Sequence, residues 1–318
     1  MTLRSIERLE AHLLAERYRG YDPYDALTSP LFRLPLLRSS KMARLAAQQV
    51  VRRLPVNVRP LLGIRKGYNP VTVALVLEGC VYLAGAQPAR VAELRERAEQ
   101  CVHELARMRS TGYRGSCWGY SPTDTQKVLN ATMKGARLCA QVYSLTGDEE
   151  SRAAARATVG YVLVHQHEDG SWPYAVGDAR IWVDNFHTGY VLDALDSFER
   201  LTDDETVGAA KALGWRYYRT TFFRDDRIPK YYADRLYPID ATACAQSLLT
   251  LCRFGDVETA RRVGEWAISN MQCEDGHFAY QVRRRIRITV PYMRWASAYM
   301  YAGLSRLALA LHDEGAGP

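Results

Sequence analysis

The chain has 318 residues, 47% hydrophobic and 24% charged, with seven cysteines and a formal net charge of +7. A chain of this length buries about three quarters of its unfolded surface, and this composition is that of a globular protein, so disorder, collagen and coiled coil are excluded. No run of about 18 uncharged apolar residues occurs, and an odd cysteine count without a CxxC pair fits reduced thiols, so a cytoplasmic protein with no transmembrane helix is expected.

Residues 1–18 alternate charged and apolar side chains and do not read as a secretory leader. Ile6–Tyr18 and Met42–Arg53 read as a first, weaker helical pair. Between Ala26 and Leu77 there is no Asp or Glu, whereas Arg33, Arg38, Lys41, Arg44, Arg52, Arg53, Arg59, Arg65 and Lys66 all fall inside. Such a run raises the local potential and attracts anions. It could meet an acidic glycan, a diphosphate or, through residues 31–66 with their leucines, an anionic membrane surface. A solvated basic face is the plainer reading. Nucleic acid is not expected, because no helix-turn-helix, zinc knuckle or RNP-like motif is present.

Farther along, apolar segments alternate with charged ones. Val71–Leu83, Lys127–Leu145, His187–Leu201, Ala241–Cys252 and Tyr292–Leu311 are apolar nearly all round, as buried helices are. Pro88–Arg109, Asp148–His165, Asp203–Thr221 and Asp256–Met271 are amphipathic, with Asp148, Asp203 and Asp256 placed as N-caps. Each charged helix runs into a turn bearing Gly or Asp with Tyr or Trp, and the apolar helices start at Tyr120, Asp184, Asp240 and Arg294, spacings of 64, 56 and 54 residues, which means one helical hairpin per repeat. The expected fold is all-α: an α/α toroid of about five to six hairpins over residues 67–318, with a basic N-terminal extension, 1–66, packed on it. An open solenoid would leave the apolar helices half exposed.

In such a ring the inner helices start at one end, so their first residues converge, and helix N-termini favour anions and hydroxyl-rich ligands. Asp184 and Asp240 are the acid–base candidates, with plain N-capping as the alternative. His187 and Tyr190 would assist proton transfer. Asn185, Lys230 and Arg294 would hold anionic groups, while Trp118, Tyr120 and Trp172 would offer stacking platforms beside Tyr237 and Tyr292. Paired carboxylates suit glycoside hydrolysis, and a base facing a uronate suits lyase or epimerase chemistry. A carbohydrate-active enzyme is therefore the leading expectation. An isoprenoid-diphosphate enzyme using aromatic rings to steady a carbocation is the second, and a non-catalytic binding scaffold the third.

GxGxxG, GxxxxGK[ST], HExxH and GxSxG are all missing. His165 and His167, with Glu168 and Asp169, read as a solvated helix end. Cys117, Cys273 and His277 do not have the spacing of a zinc-bearing toroid. No metal ligands are assigned and no cofactor is expected, a divalent metal staying open.

The stretches QHEDGSWPY (Gln166–Tyr174) and NMQCEDGHFAY (Asn270–Tyr280) resemble the Q-x-x-D-G-x-[WF] turns of α/α-toroid proteins such as terpene cyclases and protein prenyltransferases. That resemblance implies the fold and no catalytic residue. The D-x-D-D motif of class II terpene cyclases is absent, for neither Asp193-Ala194-Leu195-Asp196 nor Asp203-Asp204 reproduces it. Through Tyr21–Pro30, Asn57–Pro70, Val183–Leu195, Tyr237–Gln246 and Pro291–Trp295 the chain is similar to toroid proteins associated with bacterial and archaeal surface-polysaccharide gene clusters. The resemblance implies a glycan ligand. Six-hairpin glycosidases and toroid polysaccharide lyases are more distant, and Asn185, His187, Tyr190 and Arg294 loosely resemble a lyase constellation.

Overall fold

The computed structural model describes residues 1–107, 127–177 and 179–315. Its helices are α1 (Thr2–Ala15), α2 (Pro35–Ser39), α3 (Lys41–Arg53), α4 (Pro70–Ala86), α5 (Val91–Arg107), α6 (Leu129–Thr146), α7 (Glu149–Leu163), α8 (Asn185–Thr202), α9 (Gly208–Thr221), α10 (Ala241–Arg253), α11 (Val257–Met271) and α12 (Tyr299–Gly315). Successive helices from α4 to α11 pair as the hairpins read from the sequence. None of the described helices is long and apolar enough to cross a membrane.

Local chemistry sets the helix ends. Asn69, Asp148, Asp184, Asp240 and Asp256 each accept a backbone N–H of the following first turn, satisfying donors that a helix cannot pair internally. Two expected boundaries move. Asp203 does not open a helix but closes α8 in the left-handed region at φ +52°, which Asp tolerates better than most residues. Asp204 then caps the short 3₁₀ turn Glu205–Val207, and α9 starts only at Gly208. The last apolar helix is not α-helical from Tyr292: Met293–Ala298 forms a wider π-helical turn before α12 begins.

The chain divides into two compact units. The first comprises Met1–Arg109, Asp226–Ile228 and Tyr237–Pro318. Here α12 lies between α4 and α10, with α1 and α11 behind it. Glycines permit the close approach of these backbones. A Cβ on Gly303 would sit 2.8 Å from the Ala245 carbonyl oxygen, and one on Gly79 would sit 2.4 Å from the Tyr301 ring. The apolar face of α1 carries Ile6, Leu9 and Leu13 into the core. Its polar side is tied to the turn after α11, for Gln272 Nε2 donates to the Ser5 carbonyl and Arg8 donates to the carbonyls of Cys273 and Glu274. Three two-residue strands, Ile239–Asp240, Gln281–Val282 and Arg287–Ile288, form an antiparallel sheet whose register sets Asp240 opposite Gln281.

The second unit comprises Ser110–Asp225 and Pro229–Leu236. In it α6 packs on α7 and α8, and α8 packs on α9. Strands Lys127–Val128 and Ala175–Val176 pair antiparallel. Burial of the apolar helices is uneven. Nearly every residue of α10 and most of α8 are buried, but α4 leaves Val81 60% exposed, and α6 leaves Leu138 at 56% and Leu145 at 86%. One flank of each of these two helices has no described helix of its own unit against it.

Candidate active site

In the second unit the site is built on the first turn of α8. Asp184 is 1% exposed, and its Oδ1 accepts the His187 backbone N–H at 2.8 Å, so it is the N-cap. The same carboxylate reaches the His187 ring, with Nδ1 2.6 Å from Oδ2 and 2.8 Å from Oδ1, and Oδ2 also accepts the Trp182 indole N–H at 3.1 Å. A carboxylate only accepts, so His187 carries its proton on Nδ1 and leaves the Nε2 lone pair free for chemistry. Asp184 is thus the helix cap, and the same carboxylate also holds the His187 ring.

Aromatic rings frame this couple. Tyr174 stacks on Trp182 with centroids 4.7 Å apart and meets His187 edge-on at 4.6 Å. Phe186 lies edge-on to both His187 and Tyr190. Lys134 Nζ sits 4.0 Å above the Tyr190 ring, and the Arg180 guanidinium lies over Tyr174. Beside Trp182 opens a cleft of about 460 Å³, walled by Trp182, Val183, Tyr232, Ala233, Asp234 and Arg235. The segment bearing Tyr231 and Tyr232 is held there by the bridge between Asp184 and Tyr232 and by the bond from Asn185 N–H to the Tyr231 carbonyl.

Several predicted residues occupy packing positions in this unit. Asn185 is fully buried and its Oδ1 accepts the Tyr218 hydroxyl at 2.9 Å, which fixes α9 against the start of α8. Trp172 is 3% exposed, donates its indole N–H to the Val162 carbonyl and covers Gly214 of α9, so its faces are taken up by protein. Lys230 Nζ donates to the Ala233 carbonyl and steadies the cleft wall. Trp118 and Tyr120, like Cys117, lie outside the described residues.

The first unit holds a second polar cluster. Asp240 is fully buried at the start of α10, where its Oδ1 accepts the Thr242 N–H and its Oδ2 accepts the Gln281 amide, both at 2.8 Å. Burial pushes its carboxyl up to about 6, against the pull of those donors. Gln281 Oε1 in turn accepts the Arg283 guanidinium, so the arginine-rich turn before the last helix reaches Asp240 through one amide. Thr242 Oγ1 donates to the Trp295 carbonyl, and the Trp295 indole donates to Asp22 Oδ2 at 3.0 Å. Arg294 lies over the Trp295 ring at 4.4 Å with Nη1 3.9 Å from Asp22, so its carboxylate neighbour is Asp22. Tyr292 is completely buried, edge-on to Tyr280 and beneath the Arg59 guanidinium. Tyr237 is 39% exposed.

Sequence reasoning did not single out Asp22, Gln281 or Arg283 as site residues. Asp22 has no signal of its own, because it meets Trp295 and Arg294 across more than 270 residues of chain. Gln281 could have been found by placing a strand opposite Ile239–Asp240. The basic run is partly consumed inside the protein. Arg59 is fully buried and clamps Asp25 at 2.8 and 3.0 Å, Lys66 pairs with Glu16, and Arg52 donates to the Tyr24 hydroxyl.

No family model and no curated protein matches this chain. Solved structures do. An unsaturated glucuronyl hydrolase from Bacillus sp. GL1 superimposes with TM-score 0.53 and 14% identity over 94% of both chains. An unsaturated glucuronyl hydrolase specific for heparin gives TM-score 0.57 and 11% identity over 77% of this chain and 88% of its own. A glycosyl hydrolase family 88 protein from Bacteroides vulgatus gives 0.53 and 9% over 73% and 91%. The fold is an α/α toroid. Identities this low carry the architecture and not the chemistry.

Proposed function

We propose that this protein is a carbohydrate-active enzyme that transfers a proton on a uronate-bearing glycan, in a reaction of the hydrolase, lyase or epimerase type. The Asp184–His187 couple carries the proposal: a buried carboxylate fixes the ring so that Nε2 acts as the proton acceptor, next to the Tyr174–Trp182 pair, whose Trp182 walls an open cleft. Trp182 offers a sugar its π-face, and Arg180 and Arg235 supply positive charge near the same rings. Asp240, whose carboxyl burial raises to about 6, would be the proton donor of the polar cluster in the first unit. Lys230, which steadies the cleft wall, would meet the uronate carboxylate, and Tyr190 would relay the proton. Three solved structures that the chain resembles are glucuronyl or glycosyl hydrolases, which supports an acidic sugar as substrate, as does the similarity to toroids of surface-polysaccharide clusters.

The test is a panel of saturated and 4,5-unsaturated uronate oligosaccharides, followed by reducing-end release and by the ultraviolet absorbance of the double bond. Turnover that is lost in His187→Gln and in Asp184→Asn, with both variants folded, supports the proposal. Turnover of an isoprenoid diphosphate, or none on any glycan, overturns it.

We also propose that residues 31–66 touch an anionic membrane surface. Leu31, Leu34, Met42, Leu45, Val50 and Leu61 are between 47% and 89% exposed on a stretch without a single acid. Co-sedimentation with phosphatidylserine vesicles but not phosphatidylcholine vesicles, abolished by Leu45→Glu with Arg44→Glu, is the expected result. Equal partitioning to both vesicles, or to neither, overturns it.

A further inference from the structure

The turn after α11 carries a cluster that the proposed reaction does not use. His12, at the end of α1, faces Asp275 and His277, and one ligand atom from each of the three lies within 4.8 Å of the others. His277 Nδ1 is 2.5 Å from Asp275 Oδ1, while His277 Nε2 is 2.8 Å from the Thr289 carbonyl oxygen. His12 Nδ1 stands 3.8 Å from Asp275 Oδ2, beyond hydrogen-bond reach, and its Nε2 is buried with no partner. The two imidazole rings are 5.4 Å apart.

Tautomer logic restricts what can occupy this place. A carbonyl only accepts, so His277 must donate from Nε2. In the neutral ring Nδ1 then presents a lone pair to a carboxylate oxygen, and two lone pairs in contact repel. A cation must lie between them, either a proton or a metal ion. Donation of the remote ring N–H to a backbone carbonyl is also how metal-binding histidines are oriented. His12 adds a second imidazole whose nitrogens make no hydrogen bond in the protein, a costly arrangement for a ring that is 9% exposed. A proton on His277 satisfies the Asp275 contact but leaves His12 unsatisfied.

We propose that His12, Asp275 and His277 form a binding site for a divalent transition metal of the zinc type, with water completing the coordination. Two imidazoles and a carboxylate suit that class of ion. Asp275 is 59% exposed, which gives the ion an entry route. Tetrahedral zinc spaces its N and O ligands by roughly 3.3 Å, so shifts of about 1 Å load the site. The scaffold for it is rigid: Arg8 and Ser5 tie α1 to the same turn, and a Cβ on Gly276 would be 2.2 Å from the Arg8 carbonyl oxygen. Such an ion would clip the first helix to the turn that follows α11.

The experiment uses the full-length chain without a histidine tag, stripped with EDTA and titrated with zinc by calorimetry at pH 7.5. One equivalent should bind, the thermal midpoint should rise by several degrees, and cobalt should give visible d–d bands. His12→Gln and Asp275→Asn should each weaken binding by about 10–100-fold while the apo proteins melt cooperatively. Absence of zinc binding by the wild-type chain overturns the proposal, as does binding that survives both substitutions.

Discussion

Asp184 shows how one side chain serves two structural purposes. It caps α8 and orients His187 at the same time. Asparagine is as good a cap as aspartate, so Asp184→Asn should leave stability within about 1 kcal/mol of wild type. It removes the carboxylate that fixes the Nδ1–H tautomer of His187, so turnover should fall while the fold is kept, as steady-state kinetics beside a melting curve will show. His187→Gln should cost on the order of 10²–10⁴ in kcat, the usual worth of a positioned proton acceptor.

Asp240 yields a residue-scale prediction on stability. Burial holds its folded pKa at about 6, above the ordinary aspartate value of 3.8, so the folded state binds the proton more tightly than the unfolded state. The associated stability is complete below the unfolded pKa and is lost as pH rises through about 6. Chemical denaturation of wild type and Asp240→Asn between pH 4 and 7 should show a pH-dependent difference on the order of 3 kcal/mol, the variant losing less. A difference that does not change with pH would show that the carboxyl is not held in its neutral form.

At the scale of elements, packing turns on glycines and helix ends. Gly303 of α12 rests against the backbone of α10, which cannot yield as a flexible side chain would. Gly303→Ala should therefore destabilise the protein by about 1–3 kcal/mol in urea unfolding, whereas Gly147→Ala, with no atom near a Cβ, should cost only the strain of its positive φ. The helices were readable because period and caps are local properties: the hairpins from α4 to α11 stand where apolar and charged segments alternate. The misplaced start of α9 and the π-helical turn at Met293–Ala298 were not readable. An aspartate followed by an acidic residue fits an N-cap and a left-handed C-terminus equally, and a widened turn depends on what packs around it.

At the scale of the whole molecule, the first helix belongs with the last. Leu9 and Leu13 of α1 are at most 2% exposed, and α1 packs on α11 and α12. Removing residues 1–18 should uncover this apolar surface and lower the thermal midpoint, with dye binding reporting the exposed core. A deletion that melts like the intact chain would show that α1 is only an appendage.

Composition, period and capping chemistry fixed the helical class, the hairpin repeat and the two capping carboxylates, because each depends on neighbours within one or two helical turns. The partners of those carboxylates depend on contacts between distant segments. Trp172 and Asn185 had the look of ligand-binding residues and are taken up by packing, Arg59 is spent on Asp25, and Arg294 stands beside Asp22. Side-chain type says what a group can bond to, and only tertiary packing decides which of its possible partners arrives within 3 Å. The same distinction applies to His12 and His277, which lie 265 residues apart and were brought together by the docking of α1.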